Sequence, residues 1–416
     1  MDEADLLDQV FERFLSGNSI FQDREVLRHD YVPDILPHRE KQIQCIGQIC
    51  APVLRGARCS NLLVYGKTGT GKTAVVKYVL GKLSRRAIEI KAPIEICYMN
   101  CRVLSTEYRI LSKLCTSLGV AIPFTGLAVG EVFDRFKTAL DSRKTLLVVV
   151  LDEVDALAEI RGDTLLYELT RINAALNHSK VSVVGISNNL GFKELLDPRV
   201  MSSLSEEEVV FRPYDASELR DILLDRARLA FHKCVLFDGA LGLCAALAAA
   251  EHGDARRALD LLRVAGELSE REGSEAITEN HIRRAERRIE HDRINEVLEN
   301  LPLHSKLTLC SVYFLSRAKV DCIITGNIYE LYCRLCDEIG LTPLTQRRVS
   351  SLINELDVMG LLNTRIVSMG RYGRTKRIHL SIAHSIVKRA FMKDDRLSGM
   401  TCPNMRFSTT FTERNH

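Results

Sequence analysis

Eight consecutive residues, Gly66, Lys67, Thr68, Gly69, Thr70, Gly71, Lys72 and Thr73, spell GxxxxGK[ST], and each fixed position has a physical task. The glycines let the chain turn tightly enough for backbone N–H groups to converge on phosphate oxygens, while the N-terminus of a following helix adds positive potential. Lys72 then reaches the β- and γ-phosphates of a nucleoside triphosphate, and Thr73 offers its hydroxyl to Mg²⁺. The stretch follows the apolar run NLLVY and precedes a helical pattern, the context this loop requires.

A second acidic constellation completes the chemistry. In VVVLDEVD, residues 148–155, Asp152 ends a continuously apolar run and is placed to hold the metal through its water shell. Glu153 beside it is placed to orient and polarise an attacking water. Two carboxylates after a buried strand cost desolvation unless a cation or water compensates, which favours a site over a structural role. Asn188, in VVGISNN, would bring an amide near the γ-phosphate or the lytic water, although Ser-Asn-Asn also makes a turn. In EHGDARRALDLL, Asp254 reads as a helix cap that leaves Arg256 free to point back at the nucleotide and sense its γ-phosphate.

Roughly three hundred residues further on lies a different kind of site. From Asn363 to His379 the chain carries Arg365, Arg371, Arg374, Lys376 and Arg377 with no Asp or Glu, around the glycine-flanked Tyr372. Just upstream, Thr345 reads as the cap of a helix whose apolar stripe is Val349, Leu352, Ile353 and Leu356, stopped at Gly360. Gln346, Arg347, Arg348, Ser350 and Asn354 lie off that stripe. Arginine pairs with guanine edges or phosphates, and Gln or Asn with adenine edges, so these residues suit a DNA major groove. The basic hairpin tip with Arg371, Tyr372, Arg374 and Lys376 suits phosphates and a minor groove. A solvated basic turn or a protein–protein surface are the other readings of the same tip.

The elements that must position these residues can be read coarsely. Short apolar runs alternate with helical patterns up to about residue 212, the signature of a parallel sheet wrapped by helices, with VVVLD expected to be central. Pro213 and the Asp215 or Ser217 cap open a helical stretch that forms a lid to about residue 299. Three helices and then the strands LLNTRIVS and TKRIHLS make a winged helix-turn-helix pattern. The expected fold is therefore α/β, a phosphate-loop parallel sheet with an α-helical lid and a C-terminal winged-helix domain. The expected division is an N-terminal helix at 1–19, with a stripe of Leu6, Leu7, Val10, Phe11 and Phe14 docking on the body; a nucleotide-binding domain at 20–212; the lid at 213–299; the winged helix at 300–394; and a frayed tail at 395–416. The Arg283, Arg284, Arg287 and Arg288 cluster reads most simply as a solvated helix face.

Bulk properties narrow the class. At 416 residues the chain has room for two or three domains, and its net charge of +3 makes charge distribution, not the total, the informative quantity. Thirteen cysteines scattered through apolar segments, with no export signal at the start, read as reduced buried thiols in a cytoplasmic protein. The CxxC formed by Cys333 and Cys336 sits in a helical pattern without a second pair, which speaks against a zinc site. No run of about 18 apolar residues is present, so no membrane segment is expected.

In order and spacing, the loop at 66–73, Asp152-Glu153, Asn188 and Arg256 resemble Walker A, Walker B, sensor one and sensor two of the AAA+ ATPases. With IFQDREVLRHDYVPDILPHRE, LYELTRIN, LDPRVMSSL, GDARRALDLLRVA and GRYGRTKRI added, residues 20 to 390 resemble the archaeal replication initiators akin to the origin-recognition complex and the cell-division-cycle-six helicase loader. That resemblance implies ATP and Mg²⁺ as cofactors, with Tyr31, Val32 and Arg39 beside the adenine and Tyr214 and Arg226 approaching the nucleotide. It places Arg199 where relatives carry an arginine that reaches a neighbour's nucleotide. It implies a slow ATPase switch at double-stranded origin DNA, nucleoid-associated in the cytoplasm. Its partners would be the replicative minichromosome-maintenance helicase, which it recruits, and related initiator subunits. A transcription regulator, a regulatory paralogue or a ring-forming motor are the alternatives. The insert IPFTGLAVGEV, where such initiators place a DNA-touching helix, holds no basic residue and suits backbone or apolar contacts.

Overall fold

The computed structural model describes residues 19–233, 235–318, 320, 322–368, 374–394 and 396–399. The N-terminal helix, most of the tail, and Arg371 and Tyr372 at the hairpin tip lie outside the described residues. The chain divides into two compact units, one ending at Ala285 and the other starting at Glu286.

The first unit is built on five strands, β1 (Leu62–Gly66), β2 (Ile94–Asn100), β3 (Leu146–Asp152), β4 (Lys180–Ser187) and β5 (Glu207–Phe211). They are all parallel, in the order β2-β3-β4-β1-β5. The apolar run VVVLD is thus interior, between β2 and β4, but the middle place belongs to β4. An uninterrupted apolar run reports burial on both faces, which any interior strand has; the order is set by the crossovers. Along β3, Leu147, Val149 and Leu151 enter one core layer and Leu146, Val148 and Val150 the other, as the period of two requires. Each such side chain contributes about 1.5–3 kcal/mol of burial.

Helices α1 (Glu40–Cys50), α2 (Lys72–Glu89), α3 (Cys101–Leu104), α4 (Glu107–Ser117), α5 (Val129–Arg143), α6 (Val154–Arg161), α7 (Thr164–Arg171) and α8 (Pro198–Leu204) accompany the sheet. The insert does not supply a separate helix: residues 119–128 are loop ahead of α5, and Phe124 stands in solvent. The lid follows as α9 (Ala216–Ala230), α10 (Asp238–Ala250) and α11 (Ala255–Arg271). Asp215 opens α9 with a full capping box, accepting from Glu218 N at 2.8 Å while Glu218 Oε2 accepts from Asp215 N at 3.0 Å. Helix α12 (Glu279–Asn300) begins in this unit, where Arg284 pairs with Glu272 and Arg283 is exposed.

The second unit holds α13 (Leu303–Arg317), α14 (Thr325–Glu338), α15 (Gln346–Val358) and the antiparallel hairpin β6 (Leu362–Ser368) with β7 (Arg374–Leu380). Thr345 Oγ1 accepts from Arg348 N at 3.4 Å, and Gly360 ends the helix region at φ 74°. Val349, Leu352, Ile353 and Leu356 are all buried, the stripe expected from the spacing. A further helix, α16 (His384–Lys393), not read in the sequence, packs Val387 and Phe391 into the core with Ile386 and Ala390 beside them. Cys333 and Cys336 lie on α14, and every described cysteine is a free thiol. No helix among the described residues is long and apolar enough to cross a membrane.

Candidate nucleotide site and nucleic-acid interface

Strand order explains why the motifs meet. Because β3, β4 and β1 are neighbours, their carboxyl ends bring Asp152, Asn188 and the glycine loop to one edge of the sheet, where ligands collect in such folds. Asp152 pairs in register with Asn100 on one side and Ile186 on the other, and Tyr65 with Ser187.

Gly71 precedes α2 in the left-handed region at φ 88°, and a Cβ there would come 2.7 Å from the Tyr214 hydroxyl. Only glycine meets both conditions. Lys72 then curls back, its Nζ donating to the carbonyls of Gly66 at 2.8 Å and Lys67 at 2.6 Å. Burial first, and the charge of Arg256 second, lower its ammonium from 10.5 to about 8, with Asp152, Asp155 and Asp254 opposing. Thr73 Oγ1 donates to Asp152 Oδ2 at 3.0 Å. Tyr98 donates its hydroxyl to the same oxygen, and Glu153 N donates to Asp152 Oδ1 at 3.0 Å. Burial, and then Asp152, push the Tyr98 phenol far above its ordinary range, so it serves as a donor. A buried carboxylate beside a hydroxyl is a hard-oxygen donor set, which fits Mg²⁺.

Glu153 adopts a left-handed backbone at φ 53°, uncommon for a residue with a side chain. Its carboxylate accepts from Asn100 Nδ2 at 3.1 Å and lies 3.7 Å from Arg102. The other end of the same amide, Asn100 Oδ1, caps α3 by accepting from Arg102 N and Val103 N. Asn188 donates its backbone N–H to Asp155 Oδ1 at 3.2 Å.

Lys72, Thr73, Asp152, Glu153, Asn188 and the tyrosine and asparagine that secure the carboxylates line a cavity of about 670 Å³, the size of a site for a nucleotide-sized ligand. Tyr31 and Val32 form one wall, and Arg256 and Tyr214 contribute from the lid side. Arg226 also lines it, donating to the carbonyls of Val26 at 3.2 Å and Tyr31 at 3.3 Å and stacking on the Tyr31 ring. Arg256 is exposed in the cavity, and its guanidinium has no hydrogen-bond or ion-pair partner among the described residues.

Arg39 does not reach the cavity wall. It is buried behind the loop, where Nε donates to Thr70 O at 3.0 Å, Nη2 donates to Arg212 O at 2.8 Å, and the guanidinium stacks 3.7 Å from the Tyr214 ring. Its geometry is that of a strut bracing the loop. Arg39→Ala should destabilise this unit by about 2–4 kcal/mol through lost charged hydrogen bonds, read as a lowered urea midpoint. Arg199 is exposed on α8, whose cap is Asp197, and does not line this cavity. Tyr98, Asn100 and Asp155 were missed by sequence reasoning. Asn100 before a helix did carry a capping signal, but its place opposite Asp152 is a matter of register.

On the second unit, Gln346, Arg347, Arg348 and Asn354 are exposed along α15 and Ser350 is half-buried. Arg348 pairs with Glu355 at 3.2 Å, and Lys376 on β7 donates to Asn354 Oδ1. Arg347 carries no such ion pair among the described residues. Arg374 opens β7 opposite Ser368.

A parallel-sheet phosphate loop, a helical lid and a C-terminal winged helix define the class of AAA+ winged-helix proteins. Three family models match: an AAA domain over residues 55–196, a Cdc6 AAA+ ATPase-type lid domain over 220–287, and a CDC6 C-terminal winged helix domain over 296–390. An "ORC1-type DNA replication protein" of Thermococcus onnurineus is 51% identical over 395 residues, covering 94% of this chain and 95% of the relative. "ORC1-type DNA replication protein 1" of Archaeoglobus fulgidus is 47% identical over 391 residues, covering 94% and 95%. The solved Aeropyrum pernix ORC1 protein in complex with DNA matches with TM-score 0.81 at 48% identity, covering 91% of this chain and 98% of that one. The chain belongs to the archaeal ORC1-type DNA replication protein family.

Proposed function

We propose that this chain is an ATP-governed initiator that binds double-stranded replication-origin DNA. The observation that carries the reading is the convergence on one cavity of Lys72, the Thr73–Asp152 pair and the lid arginine Arg256. Support for the DNA half comes from the exposed polar face of α15 and from the DNA complex of the Aeropyrum pernix relative.

In this reading the loop from Gly66 to Thr73 holds the phosphates, Tyr31 and Val32 flank the base, and Thr73 and Asp152 hold Mg²⁺. Bound there, the metal would neutralise developing charge on the phosphates. Glu153, oriented by Asn100, accepts the proton of the attacking water, and Asn188 positions that water. Arg256 and Arg226 read the nucleotide from the lid, while Tyr214 packs the hinge and Arg39 braces the loop behind it. Arg199 acts on a neighbouring subunit's nucleotide. Turnover is slow, as suits a switch, and the DNA-bound state recruits the minichromosome-maintenance helicase with related initiator subunits. Gln346, Arg347, Arg348 and Ser350 face the major groove, and Arg371, Tyr372, Arg374 and Lys376 the adjoining backbone. We assign the boundaries 20–212, 213–299 and 300–394 to the three domains, and a cytoplasmic, nucleoid-associated location.

The test is a genome-wide map of bound DNA in dividing cells for the wild type and for Lys72→Ala. Occupancy concentrated at replication starts and altered by Lys72→Ala is the expected result. Occupancy spread over promoters, or identical in the variant, would overturn the reading.

A further inference from the structure

The lid touches the phosphate loop directly at Gly69, a contact that no nucleotide mediates. Ala255 N, the first residue of α11, donates to Gly69 O at 3.1 Å. Asp254, the cap of that helix, accepts with Oδ1 from Arg256 N at 2.7 Å and Arg257 N at 3.4 Å, which pins its carboxylate in place. The pinned group fills the space above Gly69: an ideal Cβ at that position would lie 1.6 Å from Asp254 Oδ1 and 2.1 Å from Cγ. Gly69 also sits in the left-handed region at φ 68°. The glycine at this variable position of the motif is therefore demanded by the lid as well as by the turn.

An acidic side chain against a loop built to cradle anions is an electrostatic anomaly. The cationic groups near it are Lys72 and Arg256, and the other carboxylates facing that lysine are Asp152 and Asp155. Asp152 and Asp155 are engaged, the first by Thr73, Tyr98 and Glu153 N and the second by Asn188 N. Among the described residues, the carboxylate of Asp254 is held by the helix end alone, and it lies on the loop itself. Asp254 does not itself line the cavity, so its charge acts on a triphosphate in the cradle across the loop backbone at Gly69, and the repulsion falls on the residue that caps the helix carrying Arg256.

Resting on the proposed nucleotide site, we propose that Asp254 is an affinity-setting brake: its carboxylate opposes the phosphates at the Gly69 contact, so nucleotide binding strains the lid and the loop together. Loosening this contact is how occupancy reaches the lid, and the charge keeps affinity below what the loop alone would give.

The experiment is equilibrium titration of the full chain with a fluorescent ATP analogue and its ADP counterpart, at 50 mM and 1 M salt. Asp254→Asn keeps a strong helix cap and removes the charge; Asp254→Ser does the same with a smaller side chain. Both should bind the ATP analogue about fivefold more tightly than wild type at 50 mM salt, the ADP counterpart less so. The gain should shrink to within about twofold at 1 M, where charges are screened beyond ~3 Å. Unchanged or weaker binding in either variant, beside a wild type that binds, overturns the brake. A wild type that binds neither nucleotide overturns the nucleotide-site reading instead.

Discussion

Glu153→Gln should slow ATP hydrolysis by roughly 10²–10⁴-fold, the usual worth of a positioned general base, while ATP affinity stays within about twofold. Gln keeps the length of the side chain, and its amide oxygen can still accept from Asn100 Nδ2, the 3.1 Å contact that now orients the carboxylate. The main loss is the proton acceptor. In the proposed reading binding is carried elsewhere, by Lys72 on its two carbonyl supports and by the Thr73–Asp152 pair. The Arg102 contact at 3.7 Å is lost too, but Arg102 is 80% exposed, so that ion pair is worth little. Single-turnover hydrolysis beside equilibrium nucleotide binding separates the two quantities. A variant that hydrolyses ATP at the wild-type rate would remove Glu153 from the chemistry.

Affinity for duplex DNA should fall about 10³-fold between 50 and 200 mM salt if about six phosphates are neutralised. The wing supplies the charge, with five basic residues and no acidic one between Asn363 and His379, and Arg347 adds to it from α15. Among the described members of this set the structure ranks the contributions. Arg348 is drawn to Glu355 and Lys376 to Asn354, so each must give up a partner before meeting a phosphate. Arg347→Ala and Arg371→Ala should each flatten the logarithmic salt slope by about one contact's worth, ~0.9, and Arg348→Ala by less. Fluorescence anisotropy on an origin duplex over this salt range measures the slopes. Affinity indifferent to salt would mean that the basic wing does not grip the backbone.

Much of this was written locally. The glycine loop, the apolar strand ending in two carboxylates and the capped helix with its buried stripe depend on residues close in sequence, where backbone geometry and side-chain period decide the outcome. The α16 helix carries an apolar stripe of Ile386, Val387, Ala390 and Phe391 that was not read, and of the insert only its last residues, Val129–Val132, are helical, as the first turn of α5. Asn100 could be recognised as a helix cap but not as the partner of Glu153, since cross-strand register leaves no mark in a single strand.

By itself the sequence named the candidates for binding phosphate, holding a metal, abstracting a proton and meeting DNA, because those capacities belong to residue types at fixed spacing. Tertiary structure alone decided who their neighbours are: that Arg39 braces the loop from behind, that Tyr98 and Asn100 secure the two carboxylates, and that Asp254 presses on Gly69. Those contacts join segments tens to hundreds of residues apart, and their distances follow from the order of parallel strands and the docking of the lid, which no local pattern encodes.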